Sequence, residues 1–204
     1  MQGGILTLKI LMIFSTQNKN IKMKTLVIHP KDSSTDFLSV IYADKKDWTI
    51  ITDPKVSNKV IKNQIKSHDR VIFLGHGTQK GLIAMTSANG FRYIIDSSLV
   101  YLLKDKECVC IWCNADVFVN KYSLKGFYSG MIISEYEEAL HCCLHDFNYS
   151  QIVESNILFA KSIAKSIESK NILELVKSSY IVEGSPIVEY NRNNLYLTES
   201  SAFN

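Results

Sequence analysis

His76 and Cys113 are the residues of this chain whose types and positions favour a joint chemistry. His76 follows the apolar run "RVIFLG", and Cys113 ends the apolar run "CVCIWC". A cysteine attacks as its thiolate, and a thiol with an ordinary pKa is mostly protonated at neutral pH. A histidine across a cleft can take that proton. The pair therefore predicts a nucleophilic cysteine with a histidine as its general base.

Two glycines flank the histidine in "LGHGTQKG". Glycine allows a sharp turn and a close approach of the backbone to a ligand. The backbone N–H of Gly77 is therefore predicted to point at a substrate carbonyl. Acyl transfer needs such donors because a negative oxygen develops in its transition state.

Strands that alternate with helices are predicted to position these groups. Apolar runs indicate strands at 25–30, 48–53, 70–75, 107–113 and 130–134. Helical spacing indicates helices in "SSTDFLSVIYA", "SNKVIKNQIKSH", "SSLVYLLKD", "EYEEALHCCLH" and "QIVESNILFAKSIAKSIE". Asn171 and Glu174 resemble a capping box for one more helix, and "SPIVEYNRNNLYL" indicates a hairpin or edge strand. Right-handed βαβ units then predict an α/β fold, a three-layer sandwich with a mostly parallel central sheet.

In such a fold the chemistry lies outside the carboxyl ends of the strands. The predicted strand ends carry five polar or reactive residues: His29, Asp53, His76, Cys113 and Ser134. Of these, His76 and Cys113 have an obvious joint chemistry. Taken singly, either residue is also typical of a structural position, because His-Gly is common in turns and cysteine is among the most buried residue types. Their order and their placement at strand ends favour catalysis.

Composition excludes several classes of function. The chain has 204 residues, 46% of them hydrophobic and 21% charged, as in an ordinary globular protein. The net charge of +3 is spread along the chain, so no basic face predicts a nucleic-acid partner. The apolar run "ILTLKILMIF" is too short to span a bilayer, and no membrane partner is expected. Residues 1–22 are interpreted as an extension outside the core, and 23–204 as a single α/β domain.

The five cysteines form two clusters, with an odd count and one adjacent pair. This spacing is not that of a disulfide framework, so a reducing compartment, the cytoplasm, is expected. Cys108 and Cys110 alternate along a strand and are most simply core residues, and Cys143 is expected to be buried on a helix with Leu140.

Other site types fit the sequence less well. Cys108, Cys110 and Cys113 lack the spacing of zinc knuckles, and His141 with His145 is an isolated pair, so no metal is expected. The segment "GHGTQKG" fails the pattern of a phosphate-binding P-loop because no Ser or Thr follows its lysine and glycine. A flavodoxin-like domain that uses this loop for a nucleotide remains an alternative, although no cofactor is expected.

The order of these blocks resembles the caspase-like (clan CD) cysteine peptidases, which include caspases, metacaspases, clostripain, gingipains, separase and CHAT domains. In that superfamily one hydrophobic strand ends in His-Gly and a later one ends in Cys, as "VIFLGHG" and "CVCIWC" do here. The resemblance covers roughly residues 24–144. It implies a caspase-like fold, His76 as general base, Cys113 as nucleophile, and an oxyanion hole made by the backbone N–H groups of Gly77 and Cys113. The implied reaction is peptide-bond hydrolysis through a thioester.

The substrate is then a peptide or protein, and the pocket would border "SGMIISEYEEA", which contains Ser134 and Glu135. The position two before the cysteine is Ile111, whereas metacaspases and clostripain have an aspartate there, so no residue preference carries over. Asp116 and Glu135 are acidic groups that could line a pocket for a basic side chain. The alternative is a catalytically inactive member of the fold that binds a regulatory protein partner through the same surface.

Overall fold

A computed structural model describes residues 23–86 and 90–198. The predicted extension, residues 1–22, lies outside the described residues. The strands are β1 (Thr25–Ile28), β2 (Thr49–Ile51), β3 (Arg70–Leu74), β4 (Gly77–Thr78), β5 (Gly81–Thr86), β6 (Gly90–Ile95), β7 (Glu107–Ile111), β8 (Lys125–Ser129) and β9 (Leu195–Thr198).

The described α-helices are α1 (Asn58–Lys66), α2 (Ala115–Tyr122), α3 (Tyr136–His141), α4 (Tyr149–Ser166), α5 (Ile172–Ser179) and α6 (Pro186–Asn193). Two segments that the periodicity predicts as helices are 3₁₀-helices, η1 (Ser33–Ile41) and η2 (Ser97–Leu102). Each has an aspartate at its N-cap whose side chain accepts from a backbone N–H two residues on, Asp32 for η1 and Asp96 for η2.

Six strands form the central sheet in the order β2-β1-β3-β7-β8-β9. All of its pairs are parallel except β8 with β9. The predicted mixed α/β fold with a mostly parallel sheet is therefore confirmed. β1 and β3 are buried on both faces, which explains why they are continuous apolar runs without alternation.

Helices cover both faces of this sheet. One face packs Leu26, Phe73 and Cys110 against α1, η2 and α2, and the other packs Val27 and Ile72 against η1, α4 and α5. Cys108 and Cys110 are both 1% exposed, which confirms their prediction as core residues. The arrangement is compatible with the predicted three-layer sandwich.

A second sheet lies between β3 and β7 in the chain, where the sequence predicts only a loop. It is antiparallel, with the order β4-β5-β6. The β4–β5 turn places Thr78 opposite Gly81, whose φ is +139°. A side chain at Gly81 would lie 1.9 Å from the carbonyl oxygen of Ile95, so this position requires glycine.

The predicted strand at 130–134 is wrong, because the strand at this point is β8, Lys125–Ser129. The ladder ends where Gly130 N–H donates to the carbonyl oxygen of Asn194, at 2.8 Å. The apolar residues Ile132 and Ile133 are buried in an irregular segment instead. The side chain of Asn191 makes this possible, because it accepts from Ile133 N–H at 2.7 Å and donates to Ile133 C=O at 2.8 Å.

The predicted hairpin in "SPIVEYNRNNLYL" is also wrong in its first half. Ser185 accepts from Val188 N–H and Pro186 occupies the first turn, so the segment begins a helix, α6. Only β9 fits the edge strand. Two smaller expectations fail as well: Asn171 precedes α5 without a side-chain cap bond, and Leu140 and Cys143 are exposed because α3 ends at His141.

Candidate active site

The register of the central sheet brings the predicted pair to the same level. β3 and β7 are parallel neighbours, and their last partners are Leu74 and Ile111. His76 and Cys113 each follow two residues after that pair. Beyond the paired residues, Gly75 N–H still donates to the carbonyl oxygen of Ile111, at 3.1 Å, which holds the two strand ends together.

Both side chains line the same cleft, which has a volume of about 950 Å³. Its walls include Asp32, Ser34, Gly77, Glu135 and Glu138. His76 and Cys113 also line a small adjoining cavity of about 20 Å³, together with Ser134. The structure thus brings together five of the six predicted site residues: His76, Gly77, Cys113, Ser134 and Glu135.

Asp116 is the sixth predicted site residue. It occupies the first turn of α2. The residues that line the cleft and the adjoining cavity do not include it. Among the described residues, the acidic groups on the cleft wall are Asp32, Glu135 and Glu138.

Cys113 sits in a sharp strand-to-helix turn between β7 and α2. The turn closes with Ala115 N–H donating to the carbonyl oxygen of Trp112, at 3.2 Å. Asn114 adopts a left-handed conformation, with φ of 66°, which asparagine tolerates better than most residues. Its N–H donates to the carbonyl oxygen of Gly130, at 3.1 Å. This geometry presents the cysteine at the tip of a rigid support.

The Cys113 thiol lies beside two oxygen acceptors. Its sulfur is 3.5 Å from the carbonyl oxygen of Ile132 and 3.8 Å from Glu138 Oε1. Burial, followed by the negative charge of Glu138, raises the pKa of the Cys113 thiol to about 12. At neutral pH the free protein therefore holds Cys113 as a protonated thiol.

Glu138 is in turn held by the residues before α3. Its Oε2 atom accepts from Ser134 N–H at 2.8 Å, from the Ser134 hydroxyl at 3.0 Å and from Glu135 N–H at 3.1 Å. Glu135 completes a capping box with Glu138. Desolvation and then the charge of Glu138 raise the pKa of Glu135, while His76 partly opposes that shift.

His76 is anchored through one ring nitrogen. Its Nε2 atom lies 2.7 Å from Ser34 Oγ and 3.6 Å from Asp32 Oδ1. The His76 side chain is 27% exposed, so the ring is partly covered and still reaches the cleft.

Gly77 is fixed by the Trp112 ring. A Cβ at position 77 would lie 2.0 Å from Trp112 Cδ1, so only glycine fits. The Trp112 indole N–H also donates to the carbonyl oxygen of Thr78, at 3.1 Å, which ties β4 to the cysteine turn. Ile83 N–H donates to the carbonyl oxygen of His76, at 2.9 Å, so His76 and Ile83 form a hydrogen-bonded pair.

That pairing determines the direction of the next N–H group. Hydrogen-bonded and non-hydrogen-bonded pairs alternate along an antiparallel ladder. Gly77 opposite Leu82 is therefore a non-hydrogen-bonded pair. The N–H of Gly77 points away from β5 and is available to a bound ligand, as an oxyanion donor must be.

The strand-end rule did not find Asp32, Ser34 or Glu138. Asp32 and Ser34 belong to an N-cap four to six residues after β1, and Glu138 lies within α3. The sequence contained capping signals at both points, an aspartate before "SSTD" and a glutamate three residues before another glutamate. Those signals predict helix starts, and only the fold places them beside the histidine and the cysteine.

The described part of the chain contains no group of three or more His, Cys, Asp or Glu side chains arranged to hold a metal ion. Across residues 23–86 and 90–198, no helix has both the length and the apolar composition needed to cross a bilayer. All five cysteines are free thiols.

Comparison with protein-family models and with curated proteins finds no match to this chain.

Proposed function

We propose that this protein is a caspase-like cysteine peptidase in which Cys113 is the nucleophile and His76 is the general base. The observation that carries the proposal is the matched placement of the two residues. They follow neighbouring parallel strands by the same number of residues, and both side chains line one cleft. The resemblance to caspase-like peptidases implies such a placement, with a histidine after one strand and a cysteine after another.

The state of the thiol means that a peptidase mechanism here would need a base. Because the pKa of Cys113 is raised to about 12, the sulfur needs a partner that removes its proton during attack. His76 takes that proton as the sulfur–carbon bond forms at the scissile carbonyl. The proton then passes to the leaving amine as the amide C–N bond breaks, which leaves a thioester on Cys113.

Water completes the cycle. His76 removes a proton from a water molecule that attacks the thioester carbonyl, and the carbon–sulfur bond breaks with return of the proton to sulfur. The Gly77 N–H, directed away from β5, and the Cys113 N–H would hold the negative oxygen in both steps. No metal or organic cofactor takes part in these steps.

The acidic wall of the cleft favours a substrate that has a basic side chain near the scissile bond. Asp32, Glu135 and Glu138 share that wall. Desolvation and then the charge of Glu138 raise the pKa of Glu135, and a Lys or Arg side chain placed there would offset the repulsion between these carboxylates. The preference would come from this wall, because Ile111 replaces the specificity aspartate of clostripain and the metacaspases.

A covalent peptide probe tests the proposal. The intact protein would be incubated with peptidyl acyloxymethyl ketones that carry Arg, Lys, Leu or Asp at the reactive end, and the adducts mapped by mass spectrometry. We expect one adduct at Cys113, formed fastest with the basic probes. The adduct should disappear in Cys113→Ala and form at least about 100-fold more slowly in His76→Ala, because general-base help is lost.

Cys143→Ala is the matched control, because Cys143 is exposed and lies outside the cleft lining. It should react as the wild type does. Adducts confined to Cys142 or Cys143, or reaction at Cys113 that is unaffected by His76→Ala, would refute the peptidase.

A catalytically inactive binding module is the second candidate, and the raised thiol pKa favours it. A protein of this kind would use the same acidic cleft to hold a basic peptide from a partner without cleaving it. In that case the arginine and lysine peptides would bind reversibly, with equal affinity in the wild type and in Cys113→Ala, and no adduct would form.

A further inference from the structure

Asp32, Ser34 and His76 form a hydrogen-bonded chain at the edge of the cleft. The Ser34 hydroxyl donates to Asp32 Oδ1 at 2.8 Å, and the same carboxylate oxygen accepts from Ser34 N–H at 3.0 Å. Ser34 Oγ also lies 2.7 Å from His76 Nε2. Asp32 is the N-cap of η1, so this chain is attached to a structured element.

The protons available to these hydrogen bonds determine which ring nitrogen of His76 is protonated. A serine hydroxyl has one proton, and an ionised carboxylate can only accept. Desolvation alone would raise the pKa of Asp32, but hydrogen bonds from the Ser34 hydroxyl and N–H, with the nearby His76, hold that pKa below its usual value. Ser34 therefore gives its proton to Asp32 and must accept from His76, which places a proton on Nε2.

We infer that Asp32 and Ser34 are positioning residues that fix His76 in the tautomer with its proton on Nε2 and its basic lone pair on Nδ1. This rests on the proposed function, because a general base for Cys113 needs a free ring nitrogen, and Ser34 already contacts Nε2. In neutral imidazole only one nitrogen carries a proton, so an Nε2–H leaves Nδ1 as the proton acceptor.

Asp32 has a second effect when the base works. Its Oδ1 atom is 3.6 Å from His76 Nε2, so its charge stabilises the imidazolium that forms when Nδ1 takes the thiol proton. A carboxylate that orients a histidine and compensates its positive charge has the same role in hydrolases of unrelated fold. Here the connection runs through a serine hydroxyl.

Nuclear magnetic resonance of ¹⁵N-histidine-labelled protein reads the tautomer directly. Long-range ¹H–¹⁵N spectra would be recorded across pH, and the tautomer of His76 read at the alkaline limit. We expect a pyrrole-like shift for Nε2 and a pyridine-like shift for Nδ1. In Ser34→Ala the acceptor for Nε2–H is lost, so the spectrum should move towards a mixture of tautomers.

Asp32→Asn separates orientation from charge. The Asn carbonyl can still cap η1 and accept from Ser34, so the Nε2–H tautomer should persist. The rate of probe addition at Cys113 should nevertheless fall at least about tenfold, because the imidazolium loses its counter-charge. Ser33→Ala, next to Ser34 and exposed, is the matched control and should change neither readout.

The spectra are repeated in Cys113→Ala, where no peptide chemistry can occur. If the Nε2–H tautomer is retained but Cys113 of the wild type does not react, the peptidase is refuted and the effect of Ser34 on the tautomer stands. A pyridine-like Nε2 in the wild type, or a tautomer unchanged in Ser34→Ala, would overturn the positioning role even if the peptidase reacts.

Discussion

The thiol of Cys113 is surrounded by groups that favour its neutral form. Burial contributes most to its raised pKa, and the carboxylate of Glu138 contributes next. A protonated thiol reacts slowly with electrophiles and oxidants, since the thiolate is the reactive species. The free protein therefore keeps this thiol unreactive, and on the proposed function it would react only when a substrate is bound against His76.

Replacing Glu138 by glutamine tests this account. Glutamine keeps an acceptor for the capping box but removes the charge beside the sulfur. The pKa of Cys113 should fall below its wild-type value of about 12, so alkylation by iodoacetamide should be faster at any fixed pH between 8 and 10. Mass-spectrometric mapping of the alkylated peptide against time measures this rate.

Glu137→Gln is the control for that substitution, because Glu137 is exposed and precedes Glu138 on the same helix. Its alkylation rate at Cys113 should equal that of the wild type. An equal or slower rate in Glu138→Gln would mean that burial alone determines the protonation of the thiol.

At the scale of residues, the sequence predicts the reactive pair but not its partners. His76 and Cys113 follow apolar runs, and the rule about strand ends therefore selects them. Ser34 and Glu138 stand inside helix starts, where polar residues have an ordinary capping role. Their contacts with His76 and Cys113 bridge 42 and 25 positions of the chain, and local patterns carry no information about such contacts.

Among the elements, β8 is constrained by a glycine. Gly126 has φ of +128°, and a Cβ there would lie 1.9 Å from the carbonyl oxygen of Cys108 on β7. Any side chain at this position must push the two strands apart, and β7 leads directly to Cys113. Close packing of β8 against β7 at Gly126 therefore helps to fix the position of Cys113, which follows β7.

Gly126→Ala is expected to destabilise the protein by at least about 3 kcal/mol, because it combines a disallowed backbone conformation with a clash against backbone. Chemical denaturation followed by circular dichroism measures the free energy of unfolding.

Gly184→Ala provides the matched comparison. Gly184 also has a positive φ, +73°, but nothing lies within 4 Å of its Cβ position. Its cost should be about 1 kcal/mol from backbone strain alone. Similar costs for the two variants would show that β7 and β8 can separate without penalty.

Most elements with a strong local signal are predicted correctly, whereas a segment that depends on a distant partner is not. Ser57 begins the helical segment "SNKVIKNQIKSH" and caps α1, since its side chain accepts from Val60 N–H. The run at 130–134 has the composition of a strand, but its hydrogen bonds go to the Asn191 side chain instead of a ladder. Ser185 and Pro186 were a valid helix signal that the hairpin interpretation overlooked.

For the molecule as a whole, buried thiols predict a loss of stability in alkali. Burial raises the pKa of Cys108 to about 12 and that of Cys110 well above its ordinary value of 9.0. The unfolded chain releases these protons near pH 9, whereas the folded protein retains them. Stability is therefore full below the unfolded pKa and falls as pH rises towards the folded pKa.

Each such thiol should remove up to about 1.4 kcal/mol of unfolding free energy per pH unit above about pH 9. Urea denaturation under reducing conditions, at steps from pH 8 to pH 10, measures the slope. Cys110→Ala should reduce the slope by one thiol's share, whatever its effect on the absolute stability. Cys143→Ala, at an exposed thiol, should leave the slope unchanged, and an unchanged slope in Cys110→Ala would contradict the account.

The overall α/β architecture is predictable because the same sequence pattern is repeated along the chain. Apolar runs buried on both faces alternate with amphipathic segments, and each repeat favours another parallel strand covered by helices. The sequence does not predict the small sheet β4-β5-β6, because its strands are partly exposed and each begins with a glycine. Its alternation of buried and exposed residues is short and irregular.

The bridge from Asn191 to Ile133 has a consequence for the order in which the site is completed. Its two ends are 58 residues apart, and Asn191 is synthesised after Ile133. A nascent chain that has already exposed His76, Cys113 and Glu138 still lacks the side chain that holds the segment next to them. Since domains generally fold as units, a growing polypeptide that lacks Asn191 carries His76 and Cys113 without a finished cleft. On the proposed function, synthesis would delay peptidase activity until α6 has docked, and neighbouring nascent chains would be spared.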